Sequence, residues 1–385
     1  MHRRRQPTVF RLVVLIALAA VVTAGLAAPA VALPTAGGGA GDAGAVGAAT
    51  SGGQSCAYPY TATDATGTAV TVESDPERIV ALQPSAAQTM WEIGARDEVV
   101  GMPVSEYTSD LDGYREPTNV VAADGFTVNV EAVVNLTPDL VLAPNVTSPN
   151  TVAQLRRAGL IVYHFGAAES IEDVYGKTLL TGQLTGNCDG AAERTAEMRV
   201  RIDRIREAVA EAPTPSVLYP LGGGVVAGSD TFLDEIIETA GGSNLAAAEG
   251  ISGYGQISAE VIVARDPQWL ILNENLPRSA IQMDAYNETT AVREGHVVRI
   301  NPNYANQPAP RVALVVEQIA RALHPEAMAE ANATASPTGD GGTRTSSAGT
   351  MPETSGPGQP GFGLVAGIVG IAVALLAATR RSRRP

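Results

Sequence analysis

Apolar residues fall along this chain in three patterns: an uncharged run at each end, short continuous runs between them, and one long stretch at helical spacing. The short runs lie at 78–82, 139–143, 160–163, 217–219, 269–272 and 296–300. Bounded by turn formers and without polar alternation, they read as buried strands. Pro84 breaks the first, and Ser85 is placed to cap a helix running through Ile93. Thr195, Met198, Ile202, Ile205 and Val209 recur every three or four residues, with Arg and Glu on the opposite face. This predicts one amphipathic helix over 189–212, capped by Asp189, stopped by Pro213 and Pro215, and about 35 Å long. Strands alternating with helical segments on both sides of it argue for an α/β protein with parallel sheets. The folded part, 56–331, exceeds a typical single-core domain and divides into two lobes, 56–188 and 213–331, bridged by the long helix.

The terminal runs have a different meaning. Arg3, Arg4, Arg5 and Arg11 precede an apolar stretch that ends near Ala30, Val31 and Ala32, which reads as a secretory signal over 1–34. Near the other end, 363–379 is uncharged and is closed by Arg380, Arg381, Arg383 and Arg384. As a helix it would reach about 26 Å, enough for a thin hydrocarbon core of ~27–30 Å. The arginines would leave its end in the cytoplasm, so 361–385 reads as an anchor. Small and polar residues make 35–55 a disordered spacer and 332–360 a stalk.

Charge narrows the partners. Setting aside the four arginines at each end leaves 18 basic residues against 40 acidic ones, a net charge of −22. Such a surface binds nucleic acid poorly and suits a salty medium. In an exported chain Cys56 and Cys188 read as a disulfide rather than two free thiols. Asn145, Asn287 and Asn332 open glycosylation sequons. No nucleophile elbow, phosphate loop or His-x-x-x-His pair points to an enzyme, and His164, His296 and His324 are too dispersed to suggest a metal site.

The most informative feature is an internal repeat. Residues 131–143 and 260–272 each begin with a glutamate seven positions before a proline, pass through a short apolar helix and enter a strand. One copy lies in each expected lobe, so Glu131 and Glu260 hold equivalent places. A helix-start carboxylate is favoured by the macrodipole alone; a matched pair adds a second role.

Together with 78–85, 92–95, 99–101, 239–244 and 256–260, these segments resemble the helical-backbone class of solute-binding proteins, which serve ABC importers of cobalamin, haem and ferric siderophores. The resemblance covers about 77–324. It implies two Rossmann-like lobes with parallel sheets, joined by a long spine helix, with the ligand between them. It also implies that Glu131 and Glu260 dock onto an ABC permease dimer and its ATPase. Ser85, Tyr107, Phe126, Asn145, Tyr219, Tyr254, Asn303 and Tyr304 then become the candidate ligand contacts. The expected ligand is a cobalamin-type corrinoid or a ferric siderophore, with haem or a free metal, and further off a surface-anchored enzyme, as alternatives. No intrinsic cofactor is implied. Pro360, Gly361 and Phe362 resemble haloarchaeal sorting signals, which are cut and replaced by a lipid. The protein is thus expected on the outer face of the cytoplasmic membrane, held by its C-terminus.

Overall fold

A computed structural model describes residues 56–276 and 284–335; the expected signal, spacer and anchor, and most of the expected stalk, lie outside them. The described chain starts with a hairpin, β1 (Tyr60–Thr63) and β2 (Ala69–Val72). A five-stranded parallel sheet follows, built from β3 (Ile79–Ala81), β4 (Val99–Met102), β5 (Thr118–Asn119), β6 (Leu140–Ala143) and β7 (Val162–His164) in the order β5-β4-β3-β6-β7. Helices α1 (Pro84–Glu92), α2 (Val130–Asn135) and α3 (Pro149–Arg157) connect its strands. Two longer helices come next, α4 (Ile171–Thr185) and α5 (Cys188–Val209).

The second lobe has two sheets. Strands β8 (Ser216–Leu218), β11 (Ser243–Asn244), β13 (Trp269–Asn273) and β14 (Val297–Ile300) are parallel, in the order β11-β8-β13-β14. Strands β9 (Pro220–Gly222), β10 (Val225–Ala227) and β12 (Tyr254–Gln256) form an antiparallel sheet. The helices are α6 (Phe232–Thr239), α7 (Leu245–Ala248), α8 (Ala259–Arg265), α9 (Asp284–Asn287), α10 (Thr290–Arg293), α11 (Pro302–Ala305), α12 (Val312–Leu323) and α13 (Pro325–Ala335). The last continues past residue 331, so the first residues of the expected stalk are helical.

Each parallel sheet is covered on both faces. Ile79 and Ala81 enter one core with Met90, while Val80 and Leu82 enter another with Val152 and Leu155. The second lobe repeats the division: Val217 and Ile271 face one way, Leu218 and Leu270 the other. Strands buried on both faces need apolar residues at every position, which explains the continuous runs in the sequence.

The expected spine helix is α5, and α4 crosses between the lobes beside it. Ala191 near the start of α5 packs into the first-lobe core, and Met198, Ile202 and Ile205 into the second. Helix α4 makes the same crossing in reverse, with Ile171, Val174 and Tyr175 in the second-lobe core and Leu184 in the first. Ion pairs pin α5 at both ends: Arg194 meets Glu92 of α1 at 2.7 Å, and Arg201 and Arg204 meet the buried Glu317 of α12. Cys56 and Cys188 form a disulfide with Cα atoms 5.6 Å apart, tying the first described residue to the head of α5.

Two expected caps are different. The N-cap of α1 is Gln83, followed by Pro84 at the first helical position, so Ser85 is inside the helix and caps nothing. The N-cap of α5 is Asn187, whose side chain donates to the Thr185 carbonyl and makes no capping bond; Asp189 sits in the first turn, where its charge complements the dipole.

Candidate functional site

The sequence repeat is a repeat in space. Glu131 and Glu260 are each the second residue of their helices, α2 and α8, and both are exposed. Asn129 caps α2 by accepting from the Ala132 N–H at 3.1 Å, and Ser258 caps α8 by accepting from the Val261 N–H at 3.2 Å. At the other end, the residue before each proline takes a left-handed backbone, with φ of 45° at Thr137 and 44° at Asp266. After the turn, the Asp139 carboxylate accepts from the N–H groups of Glu77 and Arg78, fixing the entry to β3. In the second copy the Gln268 amide oxygen accepts from the Ser216 N–H at 2.9 Å, fixing the entry to β8.

At the C-terminal ends of the strands a cleft of about 260 Å³ runs between the lobes. First-lobe residues lining it include Gln83, Ser85, Tyr107, Phe126, Asn145 and Val146; Asn303, Asn306 and Gln307 come from the second lobe. Tyr107 and Phe126 form an aromatic wall, with ring centroids 4.4 Å apart and planes tilted by 41°. Gly125 makes room for it: at φ of 79° it takes a conformation that other residues resist, and a Cβ there would come within 3.2 Å of the Tyr107 ring. Phe126 and Val146 are 46% and 69% exposed, a cost that a flat apolar ligand would remove.

The Phe126 loop is held by Asp124, whose carboxylate accepts from the N–H groups of Phe126 (2.9 Å) and Thr127 (2.8 Å) and from the Thr127 hydroxyl. The Thr127 hydroxyl, with the two N–H groups, keeps that carboxyl below its ordinary range. Gln83 is 3% exposed; its amide nitrogen donates to the Phe126 carbonyl at 3.2 Å, while its amide oxygen has no partner.

Beside the cleft the lobes are joined by a polar clamp centred on Arg311. Its guanidinium donates to Glu92 (2.6 Å), to the Asp110 carboxylate (2.9 Å) and to the Tyr304 hydroxyl (3.3 Å). The Gln88 side chain donates to the Asn303 carbonyl (3.1 Å) and accepts from the Arg311 N–H (3.0 Å). Asn303 donates to the Glu106 carbonyl (2.9 Å), and Gln307 to the Tyr107 carbonyl (2.8 Å). The aromatic wall and the loop opposite it are thus parts of one network.

Five of the eight expected contacts meet in this cleft: Ser85, Tyr107, Phe126, Asn145 and Asn303. The other three do not line it. Tyr219 is wholly buried, and its hydroxyl donates to Asn273 at 2.6 Å and lies 3.5 Å from the Asn306 amide oxygen, so it supports a cleft residue from behind. Burial drives its hydroxyl pKa far up. Tyr304 packs against the second-lobe core beneath the Arg311 guanidinium, 5.2 Å from ring centre, and Tyr254 stands exposed on β12. Sequence reasoning passed over Gln83, Val146, Asn306 and Gln307. Their signal was adjacency, since each neighbours a chosen residue in the same loop.

Asn145 cannot both line the cleft and carry a glycan without filling it, and Thr147, the hydroxyl residue of its sequon, is 2% exposed. Among the described residues no cluster of His, Cys, Asp and Glu could hold a metal ion.

Residues 79–304 match the periplasmic binding protein family. The chain is 46% identical over 281 residues to a cobalamin-binding protein of Halobacterium salinarum, covering 70% of this chain and 76% of that one. Among solved structures it is similar to the periplasmic vitamin B12 binding protein BtuF of Vibrio cholerae, with a TM-score of 0.56 and 23% identity, covering 67% of this chain and 98% of that one. It is also similar to the periplasmic haem-binding protein RhuT from Roseiflexus, with a TM-score of 0.58 and 24% identity, covering 65% and 99%.

Proposed function

The chain belongs to the periplasmic binding protein family, and from that premise we propose that it captures a cobalamin-type corrinoid between its lobes and delivers it to an ABC permease. The observation that carries the ligand is the cleft wall: two touching aromatic rings, one of them 46% exposed, facing polar side chains of the other lobe. A corrin presents a broad apolar face to such rings and a rim of amide side chains to Asn145, Asn303 and Asn306. A ferric siderophore of high negative charge fits less well, because no arginine is among the residues lining this cleft. The 46% identity to a cobalamin-binding protein supports the same choice.

Glu131 and Glu260 are the docking points in this reading. Each is exposed at the start of a capped helix, one on each lobe, where it can pair with arginines of the permease. The basic, apolar start of the chain and the apolar run closed by arginines at its end support export and tethering to the membrane's outer face. A receptor for a diffusible nutrient needs both where nothing else retains it.

Calorimetry with cobalamin, haem and a ferric siderophore tests the ligand. Cobalamin should bind, and Tyr107→Ala with Phe126→Ala should weaken it at least tenfold, since each ring removes about 1–3 kcal/mol of burial. Exclusive binding of haem would move the assignment to that ligand, and binding of none of the three would end it.

A further inference from the structure

Lys177 is the only lysine in the chain. It lies midway along α4, between the residues that enter the second-lobe core (Ile171, Val174, Tyr175) and Leu184, which enters the first. That position puts it at the waist of the molecule, where it lines a narrow crevice of about 20 Å³, room for one oxygen-sized group. The crevice adjoins the ligand cleft, since Ser85 and Pro308 line both.

Lys177 is partly buried, and its ammonium group makes no hydrogen bond or ion pair among the described residues. Elsewhere the protein treats its buried cations differently: Arg311 and Arg194 each reach carboxylates at 2.6–2.9 Å. Around Lys177 the crevice walls come from Ser85, Ala86 and Thr89 of α1 and from Pro144, Phe165 and Pro308, none of them ionisable. The Thr89 and Thr181 hydroxyls donate to backbone carbonyls within their own helices. The one charge acting on Lys177 is Asp173, a turn back on α4. That carboxylate already accepts from the N–H groups of Glu169 and Ser170. A cation partly withdrawn from water without a close partner is favoured when an anion arrives to meet it.

On the reading that the cleft is the ligand site, we propose that Lys177 is a binding residue that receives the single anionic group of the ligand, the phosphodiester of a complete corrinoid, with the Ser85 hydroxyl as a second donor. One cation selects for one anionic group. Corrinoids lacking the nucleotide arm have no such group and would leave the ammonium unpaired.

The proton balance gives a readout that a merely structural lysine would not produce. Burial pulls the Lys177 pKa down to about 8 in the empty protein. An anion placed against it favours the charged form and raises that value. Binding should therefore take up protons just above pH 8, and affinity should fall as pH rises beyond it.

The experiment is calorimetry on the full chain with cobalamin and with cobinamide, which has the corrin ring and amide arms but no phosphodiester, at about pH 8.5 in buffers of different ionisation enthalpy. We expect wild type to bind cobalamin about tenfold more tightly than cobinamide, with proton uptake for cobalamin only. Lys177→Met should remove the uptake and the preference while leaving cobinamide affinity unchanged. Equal loss for both ligands, or no loss for either, overturns the role of Lys177 and leaves the corrinoid reading standing. Binding of neither by wild type sinks that reading, and this assignment with it. Proton uptake is measured on the unmodified protein, so the test does not depend on how the variant folds.

Discussion

At the scale of single residues, this protein spends polar side chains on holding loops rather than on filling surface. Asp64 is the clearest case. Its carboxylate is buried at the hairpin turn and accepts from the Thr66 N–H and hydroxyl, the Thr68 and His164 N–H groups, and Arg156. Burial alone would raise its pKa, but the bonds from Thr66 and Arg156 outweigh that and bring it down to about 2. A folded pKa below the unfolded one means stability that is fully present above about pH 4 and lost as pH falls toward 2. The group should contribute about 2 kcal/mol at neutral pH. Denaturant melts between pH 2 and 7 should show Asp64→Asn less stable than wild type at pH 7, with the gap closing toward pH 2. Parallel curves for the two proteins would refute this.

At the scale of elements, the spine and the clamp decide how far the lobes can move. Helices α4 and α5 both cross between the cores, and the Arg311 network joins α1 of one lobe to α11 and α12 of the other. Removing Arg311 leaves the mostly buried Asp110 carboxylate without its ion-pair partner and Glu92 with Arg194 alone. Arg311→Met should cost about 2–4 kcal/mol of stability, near the lower part of the range for a broken buried pair because all three groups keep some exposure. It should also loosen the aromatic wall, since Asp110 and Tyr107 share the network with Asn303 and Gln307. Hydrogen exchange would then rise in the 103–112 loop as well as around residue 311, and exchange confined to the latter would show that the clamp does not reach the wall.

At the scale of the whole molecule, the proposed docking makes Glu131 and Glu260, two carboxylates in equivalent places, a register mark. Glu131→Lys with Glu260→Lys should abolish uptake into cells carrying the matching permease while leaving solution affinity for the ligand unchanged. Loss of ligand binding in that double variant would mean the glutamates serve the fold instead. The sequence was legible here because a repeat records equivalence directly. It also showed its strands plainly, since a strand covered on both faces must be apolar throughout, and it showed α5, whose outer face stays charged.

Other parts were not legible, for physical reasons. Helix α4 escaped notice because half its buried face is Thr178, Thr181, Gly182 and Thr185, which carry no apolar signal. Tyr219, Tyr254 and Tyr304 looked alike as aromatic residues near strand ends. Which way each side chain turns is set by tertiary neighbours, Asn273 for the first and Arg311, itself held by the other lobe, for the last. The sequence by itself determined the class of fold, the two lobes and the paired glutamates, because these rest on local periodicity and on a repeat. Only the tertiary structure decided which residues share the cleft, that Arg311 bridges the lobes beside it, and that the sole lysine waits behind it unpaired. Those are contacts between residues up to more than two hundred positions apart, and no local pattern encodes them.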